Sequence, residues 1–352
     1  MFFGQVDLEQ AEGGILAHAL RSGALMIRKG VHLDAALLER LRSAGVGSVT
    51  IARLDPGDIG EDEAAAGIAE HVAGNAIRVS KAGAGRCNLH ARAAGVAVVD
   101  SGLVDLLNAI DEGVTIATRA PYAPVVADEM VATIKIIPYG LPAPIVARAI
   151  QLTHHPLITL APFLPYRIGV ILTETPEWNV SLSDKALAML ERRIAHTRSR
   201  IARAMRVPHT SDALAAALRD IPDVDLIVIF NASATSDRRD VTPVAVEAAG
   251  GIVRHLGMPA DPGNLLVLAT LDGRPVIGAP GCARSPKYNG FDIVLDRLLA
   301  GIPVGPQDIR RMGVGGLLQD IPGRPSPRAP KARYQPKAPP AMRVPHASPI
   351  SE

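Results

Sequence analysis

A loop of small residues near the end of the chain has the composition of an anion-binding turn. Residues 275–277 predict a strand, Pro280-Gly281 predicts a tight turn after it, and Ser285-Pro286 predicts the start of a helix. Serine caps helices well, and proline is favoured at their first position. Free backbone N–H groups at such a start bind anions, phosphate above all, and Lys287 would add a positive charge. The alternative is an ordinary connection between a strand and a helix.

A second loop, residues 231–240, follows the most apolar predicted strand, 225–230. Open α/β sheets bind ligands at the carboxyl ends of their strands, so this position favours a ligand-binding loop. Asp237 and Asp240 could hold Mg²⁺ through water or accept hydrogen bonds from a heterocycle. The alternative is a polar loop whose aspartate caps the helix that begins near Pro243. The other polar side chains of the loop are Asn231, Ser233, Thr235 and Ser236.

Weaker signals lie elsewhere. Glu174 follows the strand predicted at 167–172 and would lie in the same crevice, as a second metal or base position. The Pro/Gly-rich loop 257–264 could close over a ligand, although turn chemistry explains it equally well. Cys282 has no histidine near it in the sequence to activate it as a nucleophile, so a small packing residue is its default interpretation. The adjacent pair His154-His155 lacks partners at metal-ligand spacing.

The elements that must position these residues alternate between strand and helix from residue 167 onward. The pattern predicts helices over 181–205, with a capping box from Ser181, over 243–249 and over 286–300. Asp272-Gly273 predicts a hairpin. The polar face of the long helix, including Arg193, is expected to be solvated. Together these elements predict a three-layer α/β/α domain with a mostly parallel sheet.

The first 160 residues predict a smaller α+β region. The helices are expected at 8–22, 34–44, 62–73 and 103–110 and the strands at 24–27, 49–52, 114–118 and 130–138, with loop signals over 80–95. The second helix and its flanking strands predict a small β-α-β unit. A proline-rich junction at 155–166 suggests one domain over 1–160 and another over 165–318. Residues 322–352 hold nine prolines and few aliphatic residues, which predicts a disordered basic tail.

Composition narrows the class of protein. The formal net charge is +2 and much of the positive excess lies in the tail, so the globular part has no basic surface of the kind that binds nucleic acid. Two cysteines suggest neither a disulfide framework nor a paired metal site. No apolar run is long enough to span a membrane and the start lacks a signal-peptide pattern, so we expect a cytoplasmic protein.

Residues 225–301 resemble the molybdopterin-binding fold shared by molybdopterin molybdenumtransferases, molybdopterin adenylyltransferases, gephyrin and the competence-damage proteins. Residues 231–240 stand where that family has a Gly-Gly-Val/Thr-Ser-x-Gly-Asp-x-x-Asp loop. Residues 257–264 match its x-Met-x-Pro-Gly-x-Pro loop, and 278–282, with Ser285-Pro286 after a short insertion, match its Gly-Leu-Pro-Gly-Asn-Pro turn. The front half also resembles the segment that precedes this domain in the molybdenumtransferases. It further resembles a bacterial subgroup that is related to molybdenum-cofactor nucleotidyltransferase fusions.

The resemblance implies a site for molybdopterin or the molybdenum cofactor. The implied cofactor-binding residues are Asn231, Ala232, Ser233, Ser236, Pro262, Gly263, Pro280, Gly281, Cys282, Ser285 and Lys287. The implied catalytic residues are Asp237, Asp240 and Glu174, of which Asp237 and Asp240 would hold Mg²⁺. Relatives form dimers or trimers, so the resemblance also implies a homo-oligomer.

Departures from the family pattern decide between the functions. The family's double glycine is Asn231-Ala232, the asparagine of its Pro-Gly-Asn-Pro turn is Cys282, and Glu174-Thr175-Pro176 replaces its Gly-Asp/Ser-Glu. These changes favour a binding protein, which holds molybdopterin or its nucleotide adduct for a cofactor cytidylyltransferase or a molybdenum hydroxylase. An active Mg²⁺-dependent adenylyl or molybdenum transferase is the alternative. Such transfer needs well-placed carboxylates and N–H groups, which these changes affect. A general nucleotide-binding protein is the third hypothesis, although the Gly-x-Gly-x-x-Gly fingerprint is absent.

Overall fold

The structure is a computed structural model that describes residues 1–221 and 223–318. Its strands are β1 (Phe2–Asp7), β2 (Ile15–Leu16), β3 (Leu20–Ser22), β4 (Leu25–Ile27), β5 (Ser48–Arg53), β6 (Asp58–Gly60), β7 (Ile77–Val79), β8 (Arg86–Ala91), β9 (Gly95–Val99), β10 (Val114–Thr118), β11 (Pro124–Val125), β12 (Met130–Ile136), β13 (Gly140–Pro142), β14 (Ile158–Pro162), β15 (Arg167–Glu174), β16 (Arg200–Pro208), β17 (Leu226–Phe230), β18 (Ile252–Leu256), β19 (Val267–Leu271) and β20 (Arg274–Ala279). Its α-helices are α1 (Ala35–Ser43), α2 (Glu61–Val72), α3 (Ser101–Asn108), α4 (Ala143–Leu152), α5 (Val180–Ile194), α6 (Ser211–Asp220), α7 (Val241–Ala248), α8 (Gly290–Leu299) and α9 (Pro306–Arg311), and short 3-10 helices cover Leu8–Gln10 and Gly281–Arg284.

A six-stranded sheet with the order β16-β15-β17-β20-β19-β18 forms the centre of the C-terminal half. Strands β16, β15, β17 and β20 run parallel to one another, whereas β19 is antiparallel to both β18 and β20. The β19–β20 hairpin turns at Asp272 and Gly273, whose φ angles are 49° and 76°. Two successive left-handed residues are the requirement of a type I′ turn, so the predicted hairpin is confirmed.

Helices cover both faces of this sheet. Leu226, Val228 and Phe230 of β17 face a core that α5 and α8 complete. Ile227 and Ile229 face the opposite core, which α6 and α7 close. Strand residues alternate between the two faces, and burying each such side chain contributes roughly 1.5–3 kcal/mol. The predicted three-layer α/β/α arrangement with a mostly parallel sheet is confirmed.

The N-terminal half is built from smaller antiparallel sheets. One has the order β10-β12-β8-β7, and another has the order β11-β9-β14. Side chains of α2 and α4 pack with both sheets in one apolar core, and a separate core lies under α1, β2 and β5. The helices predicted near 34–44, 62–73 and 103–110 are present as α1, α2 and α3.

Three N-terminal expectations are wrong. Residues 8–22 form a 3-10 turn and the strands β2 and β3, because Gly13, in the left-handed region, and Gly14 interrupt the apolar spacing. The β-α-β unit is absent from the described residues: β4 pairs with β3, while β5 pairs antiparallel with β1 and β2. The segment 80–95 contains all of β8, whose residues 86–90 pair with β12.

The long helix of the C-terminal half begins and ends at other residues than predicted. The helix predicted over 181–205 ends at Ile194, and residues 200–208 form the edge strand β16. The hydroxyl of Thr197 donates to Ile194 O and accepts from Ser199 N, and such local bonds compete with helix continuation. The cap of α5 is Asn179, not the box predicted from Ser181.

The predicted domain division near residues 155–166 stays a prediction. Within this segment β14 pairs with β9, Phe163 packs into the core of the six-stranded sheet, and residues 1–318 form one compact unit. The predicted tail, 322–352, lies outside the described residues. Over the residues that the structure describes, it contains no helix that is both long and apolar enough to cross a membrane.

Candidate functional site

The candidate site lies where the central parallel strands of the six-stranded sheet end. Phe230, the last residue of β17, pairs with Leu172 of β15 on one side and with Ala279 of β20 on the other. The loops that follow these strands therefore begin side by side. They include the 231–240 loop and the 280–289 loop, which the sequence predicted to form one pocket.

Asn231 anchors the 231–240 loop. It is 5% exposed, its Oδ1 accepts a hydrogen bond from Thr242 Oγ1 at 2.6 Å, and its Nδ2 donates to Thr235 Oγ1 at 3.3 Å. Buried polar groups that satisfy one another in this way hold a backbone in place. The side chain predicted to touch a cofactor is thus bonded within the protein. Ser233 and Ser236, further along the loop, are exposed.

The two aspartates of this loop are hydrogen-bonded within it. Asp240 Oδ2 accepts from the backbone N–H groups of Ser236 at 2.6 Å and Asp237 at 2.9 Å, and these bonds lower the pKa of Asp240. Asp237 Oδ1 accepts from Nε and the backbone N–H of Arg239, which lowers the pKa of Asp237. Asp240 occupies the N-cap position of α7, yet its carboxylate turns back to the loop.

Few carboxylate oxygen atoms at the predicted magnesium site are free to bind a metal ion. One oxygen of Asp240 and both oxygens of Asp237 have donors from the protein. Across residues 1–221 and 223–318, no group of three or more His, Cys, Asp or Glu side chains is placed to hold a metal ion. Magnesium at Asp237 and Asp240 stays a prediction, and most of its ligands would have to come from a bound phosphate and water.

Glu174 lies in a polar cluster at the end of β15. Its Oε1 accepts a hydrogen bond from Ser183 Oγ at 2.7 Å, and Ser183 Oγ in turn accepts from Trp178 Nε1 at 3.0 Å. Arg206 Nε of the edge strand lies 3.9 Å from the same carboxylate oxygen. This carboxylate therefore positions the start of α5, and it is partly neutralised by a neighbouring cation.

Thr173 and His209 join two of the loops, and sequence reasoning missed both residues. The hydroxyl of Thr173 is buried, accepts from Ala232 N at 3.0 Å, and lies 2.8 Å from His209 Nδ1. Burial lowers the pKa of His209, and the charge of Asp240 opposes this effect. No spacing in the sequence connects residue 209 with residue 232, so only the sheet topology reveals this link.

The helix predicted to start at Ser285-Pro286 starts later, which corrects the expected anion site. Asn289 caps α8 in a capping box, with its Oδ1 accepting from Phe291 N at 3.0 Å. Gly290 N donates to Pro262 O, and Ser285 N donates to Cys282 O. The amides predicted to hold a phosphate at Ser285 and the first amides of the helix therefore have partners within the protein.

Two amides at the other end of this turn keep their bonding capacity. Among the described residues, the N–H groups of Gly281 and Cys282 have no acceptor on another residue, and the Cys282 N–H lies against its own thiol. Gly281 is exposed, and Cys282 is half-buried with its thiol pKa raised by burial. Lys287 is also exposed. The open amides thus lie directly after Pro280, several residues before the helix.

Arg193 holds the 280–289 loop through hydrogen bonds to its carbonyl groups. The prediction that this residue lies on a solvated face is wrong. Its side chain is 9% exposed, and its Nε lies 2.5 Å from Asp292 Oδ1. Its two terminal nitrogens donate to the carbonyl oxygens of Ala283 and Ser285, each at 2.8 Å. No sequence pattern predicts this role, because Arg192 and Arg193 are adjacent residues of the same type.

Arg284 connects the loops after β17 and β20, and the sequence did not single it out. Its Nη2 donates to Asn231 O at 2.7 Å, and its guanidinium carbon lies 5.4 Å from the centre of the Trp178 ring. Its Nε is buried and lacks a partner among the described residues, and burial lowers its pKa. A desolvated cation therefore lies at the point where the strand-end loops meet.

The 257–264 loop contacts the start of α8. The φ angle of Gly263 is +143°, and a Cβ there would lie 2.7 Å from backbone atoms of Gly290. The adjacent carbonyl of Pro262 accepts from Gly290 N at 2.8 Å. All three loops that the sequence singled out thus meet within one network, although Pro262 and Gly263 reach it through α8.

Comparisons with known proteins leave the family of this chain undecided. No family model matches the chain and no curated protein matches it. Among solved structures, a molybdopterin biosynthesis MoeA protein from Pyrococcus horikoshii aligns at 12% identity and a TM-score of 0.29, over 85% of this chain and 75% of its own. A molybdenum cofactor biosynthesis protein from Pyrococcus furiosus aligns at 11% identity and a TM-score of 0.24, over 86% and 66% of the two chains. These scores are too low to carry an argument about function.

Proposed function

We propose that this protein binds molybdopterin, as the free pterin phosphate or its nucleotide adduct, at the carboxyl edge of the six-stranded sheet, and that it acts in the synthesis or delivery of the molybdenum cofactor. The observation that carries the proposal is the convergence of the 231–240 and 280–289 loops through the bond from Arg284 to Asn231 O. The choice of pterin comes from the motif resemblance, because the geometry alone fits any phosphorylated heterocycle.

The phosphate is proposed to bind at Gly281 and Cys282. Both have backbone N–H groups without an acceptor on another described residue, and oriented amides of a turn form anion-binding concavities. The guanidinium of Arg284 is close in sequence, desolvated and not ion-paired within those residues. Arginine edges match phosphate oxygens well, so a phosphate would receive both amide and guanidinium hydrogen bonds.

The ring system is proposed to lie along the 231–240 loop. Ser233 and Ser236 are exposed there, and within the described residues the hydroxyl of Ser233 has no hydrogen-bond partner. A pterin presents several donors and acceptors in one plane, so short hydroxyl side chains suit it. Trp178, half-buried beside Arg284, offers an apolar surface nearby.

Binding is favoured over catalysis because the candidate carboxylates are occupied. Asp240 receives two loop amides, Asp237 pairs with Arg239, and Glu174 accepts from Ser183. Transfer of an adenylyl group or insertion of molybdate needs carboxylates that are free to act on the ligand. We therefore propose a holding role before a cytidylyltransferase or a molybdenum hydroxylase, in a cytoplasmic homo-oligomer.

The test is an anaerobic titration of the purified protein with molybdopterin, in which calorimetry measures the binding. The informative variant is Gly281→Asp, since a Cβ at this position meets no atom within 4 Å and the new carboxylate would repel a phosphate. We expect affinity to fall at least about tenfold, as for loss of a charge-assisted bond. The matched control, Gly281→Ala, should bind like the unmodified protein.

Other outcomes would select the remaining hypotheses. Release of AMP from adenylylated molybdopterin in the presence of Mg²⁺ and molybdate would establish the transferase. Tighter binding of ATP or NAD than of molybdopterin would establish a general nucleotide-binding protein. If the unmodified protein binds none of these molecules, the proposed site is wrong.

A further inference from the structure

A cavity of about 760 Å³ is lined by residues of α8 and α9, the segment 120–124 and Tyr288. Pockets that hold small molecules usually measure about 300–1,000 Å³, so a ligand the size of a nucleotide would fit. The residues proposed above to hold molybdopterin do not line it. The cavity therefore needs an explanation of its own.

Arg297 is the main polar group of this cavity. Its guanidinium carbon lies 3.8 Å from the centre of the Tyr122 ring, which is stacking distance. Its Nε is buried without a partner, and in the described residues no hydrogen bond or ion pair reaches the guanidinium. A stacked guanidinium keeps its N–H edges free in the plane, where phosphate and carboxylate oxygens bind in pairs.

The backbone of Tyr122, whose ring stacks on the Arg297 guanidinium, has a strained conformation. Its φ angle is +63°, in the left-handed region, which costs a non-glycine residue roughly 1–2 kcal/mol. Its N–H donates to Ala97 O at 2.7 Å, so the strand β9 fixes this conformation. Residues held in such conformations cluster at ligand sites.

The remaining charges make the lining positive. Arg311 is exposed, and its side chain has no ion-pair partner in the described residues. Asp308 is the acidic residue of the lining, and its Oδ2 accepts from Gly305 N at 2.8 Å. Two arginines against one aspartate leave one net positive charge. Tyr288, 42% exposed, offers a second aromatic ring at the edge of the cavity.

We propose that this cavity binds a small molecule that carries a phosphate or carboxylate group on a planar ring. Arg297 and Arg311 contact the anionic group, the Tyr122 ring supports the Arg297 guanidinium, and Tyr288 packs against the ring of the ligand. Tyr288 belongs to the 280–289 loop, but the residues proposed to hold molybdopterin do not line this cavity. The inference does not depend on the proposed function.

Phenyl phosphate is the probe, titrated into the full chain by calorimetry, with benzoate, inorganic phosphate and phenol as comparisons. We expect saturable binding of phenyl phosphate and of benzoate, weaker binding of inorganic phosphate, and none of phenol. Arg297→Gln should weaken phenyl phosphate at least about tenfold, and Arg311→Gln should weaken it about threefold, because charge-assisted bonds are lost in both.

Arg310→Gln is the matched control, since this exposed neighbour on α9 does not line the cavity. It should bind phenyl phosphate as the unmodified protein does. Circular dichroism checks folding, and if Arg297→Gln fails to fold, the exposed Arg311 decides the outcome. Equal weakening by Arg310→Gln, binding of inorganic phosphate as tight as that of phenyl phosphate, or no saturable binding would overturn the proposal.

Discussion

The 231–240 loop and the 280–289 loop leave neighbouring strands, yet they are held in different ways. The first is mostly exposed, and its aspartates bind amides of the loop itself. The second is tied to the interior by Arg193, which reaches two of its carbonyl oxygens and Asp292. Local hydrogen bonds shape the first loop, whereas a buried ion pair shapes the second.

This difference assigns different parts to the two loops. A loop that satisfies its own backbone at the surface can change its conformation around a ligand at small cost, because few buried contacts must break. A turn fixed to a helix by a buried cation keeps its amides where they are. We infer that the 280–289 loop presents a preformed anion contact and that the 231–240 loop adapts to the rest of the ligand.

Removal of Arg193 should have the largest effect on stability. Arg193→Leu leaves Asp292 and two carbonyl groups without their donor, and breaking a buried ion pair of this kind costs about 3–5 kcal/mol. Urea unfolding followed by circular dichroism measures the loss. The control is Arg192→Leu, at the exposed preceding position of the same helix, which should change the free energy of unfolding by less than about 0.5 kcal/mol. Similar losses in both variants would mean that Arg193 does not hold the second loop.

Asp296, one turn after Asp292 on α8, is a buried carboxyl group that forms no ion pair among the described residues. It is 7% exposed, and burial, followed by the charge of Asp292, raises its pKa to about 7 from 3.8. The folded protein therefore binds a proton that the unfolded chain releases between these pH values. Its favourable contribution is complete below pH 4 and is lost as the pH rises towards 7.

Asp296→Asn should consequently stabilise the protein at pH 8. One pKa unit corresponds to about 1.4 kcal/mol, so a difference of about three gives an upper value near 4 kcal/mol. Unfolding at pH 4.5 and pH 8 should show a gain at the higher pH and little change at the lower. Asp292→Asn provides the contrast, since loss of the bond to Arg193 should destabilise. If Asp296→Asn does not raise the free energy of unfolding at pH 8, the Asp296 carboxylate of the unmodified protein is stabilised in the folded state.

The sheet could be predicted from sequence better than the loops. Leu226 to Phe230 form a continuous apolar run, which buried parallel strands require, and Asp272-Gly273 has one dominant conformation. The start of α8 could not be predicted in this way, because Ser285 and Asn289 are both good caps. The local bond from Asn289 Nδ2 to Lys287 O and the tertiary bond from Gly290 N to Pro262 O select the later start.

The residues that join the loops lie outside any local pattern. Arg193 and Arg284 are two arginines among many, and only the packed structure distinguishes the buried ones from the exposed Arg192 and Arg238. Thr173 and His209 are far apart in sequence, and parallel pairing of β15 and β16 brings them together. The sequence singled out the loops of the candidate site, but it did not predict the hydrogen bonds that join them.

Substitutions of Asp240 and Asp237 test whether hydrogen bonds within the 231–240 loop stabilise it. Asp240→Ala removes the acceptor of two loop amides, and a hydrogen bond of this kind contributes about 1 kcal/mol. The pKa of Asp240 is lowered, so its contribution is present near neutral pH and is lost as the pH falls below 4. Thermal unfolding at pH 7 and pH 3 should therefore show a difference between this variant and the unmodified protein only at pH 7.

Asp237→Ala is the matched change, because in the described part of the chain the Asp237 carboxylate pairs with the side chain and backbone N–H of the exposed Arg239. Surface ion pairs contribute little, so this variant should unfold like the unmodified protein at both pH values. If Asp237→Ala is the more harmful of the two, the loop is organised around the ion pair. If neither variant changes unfolding, the local bonds do not stabilise the loop in solution, and the contrast with the Arg193-bound turn becomes larger than the structure indicates.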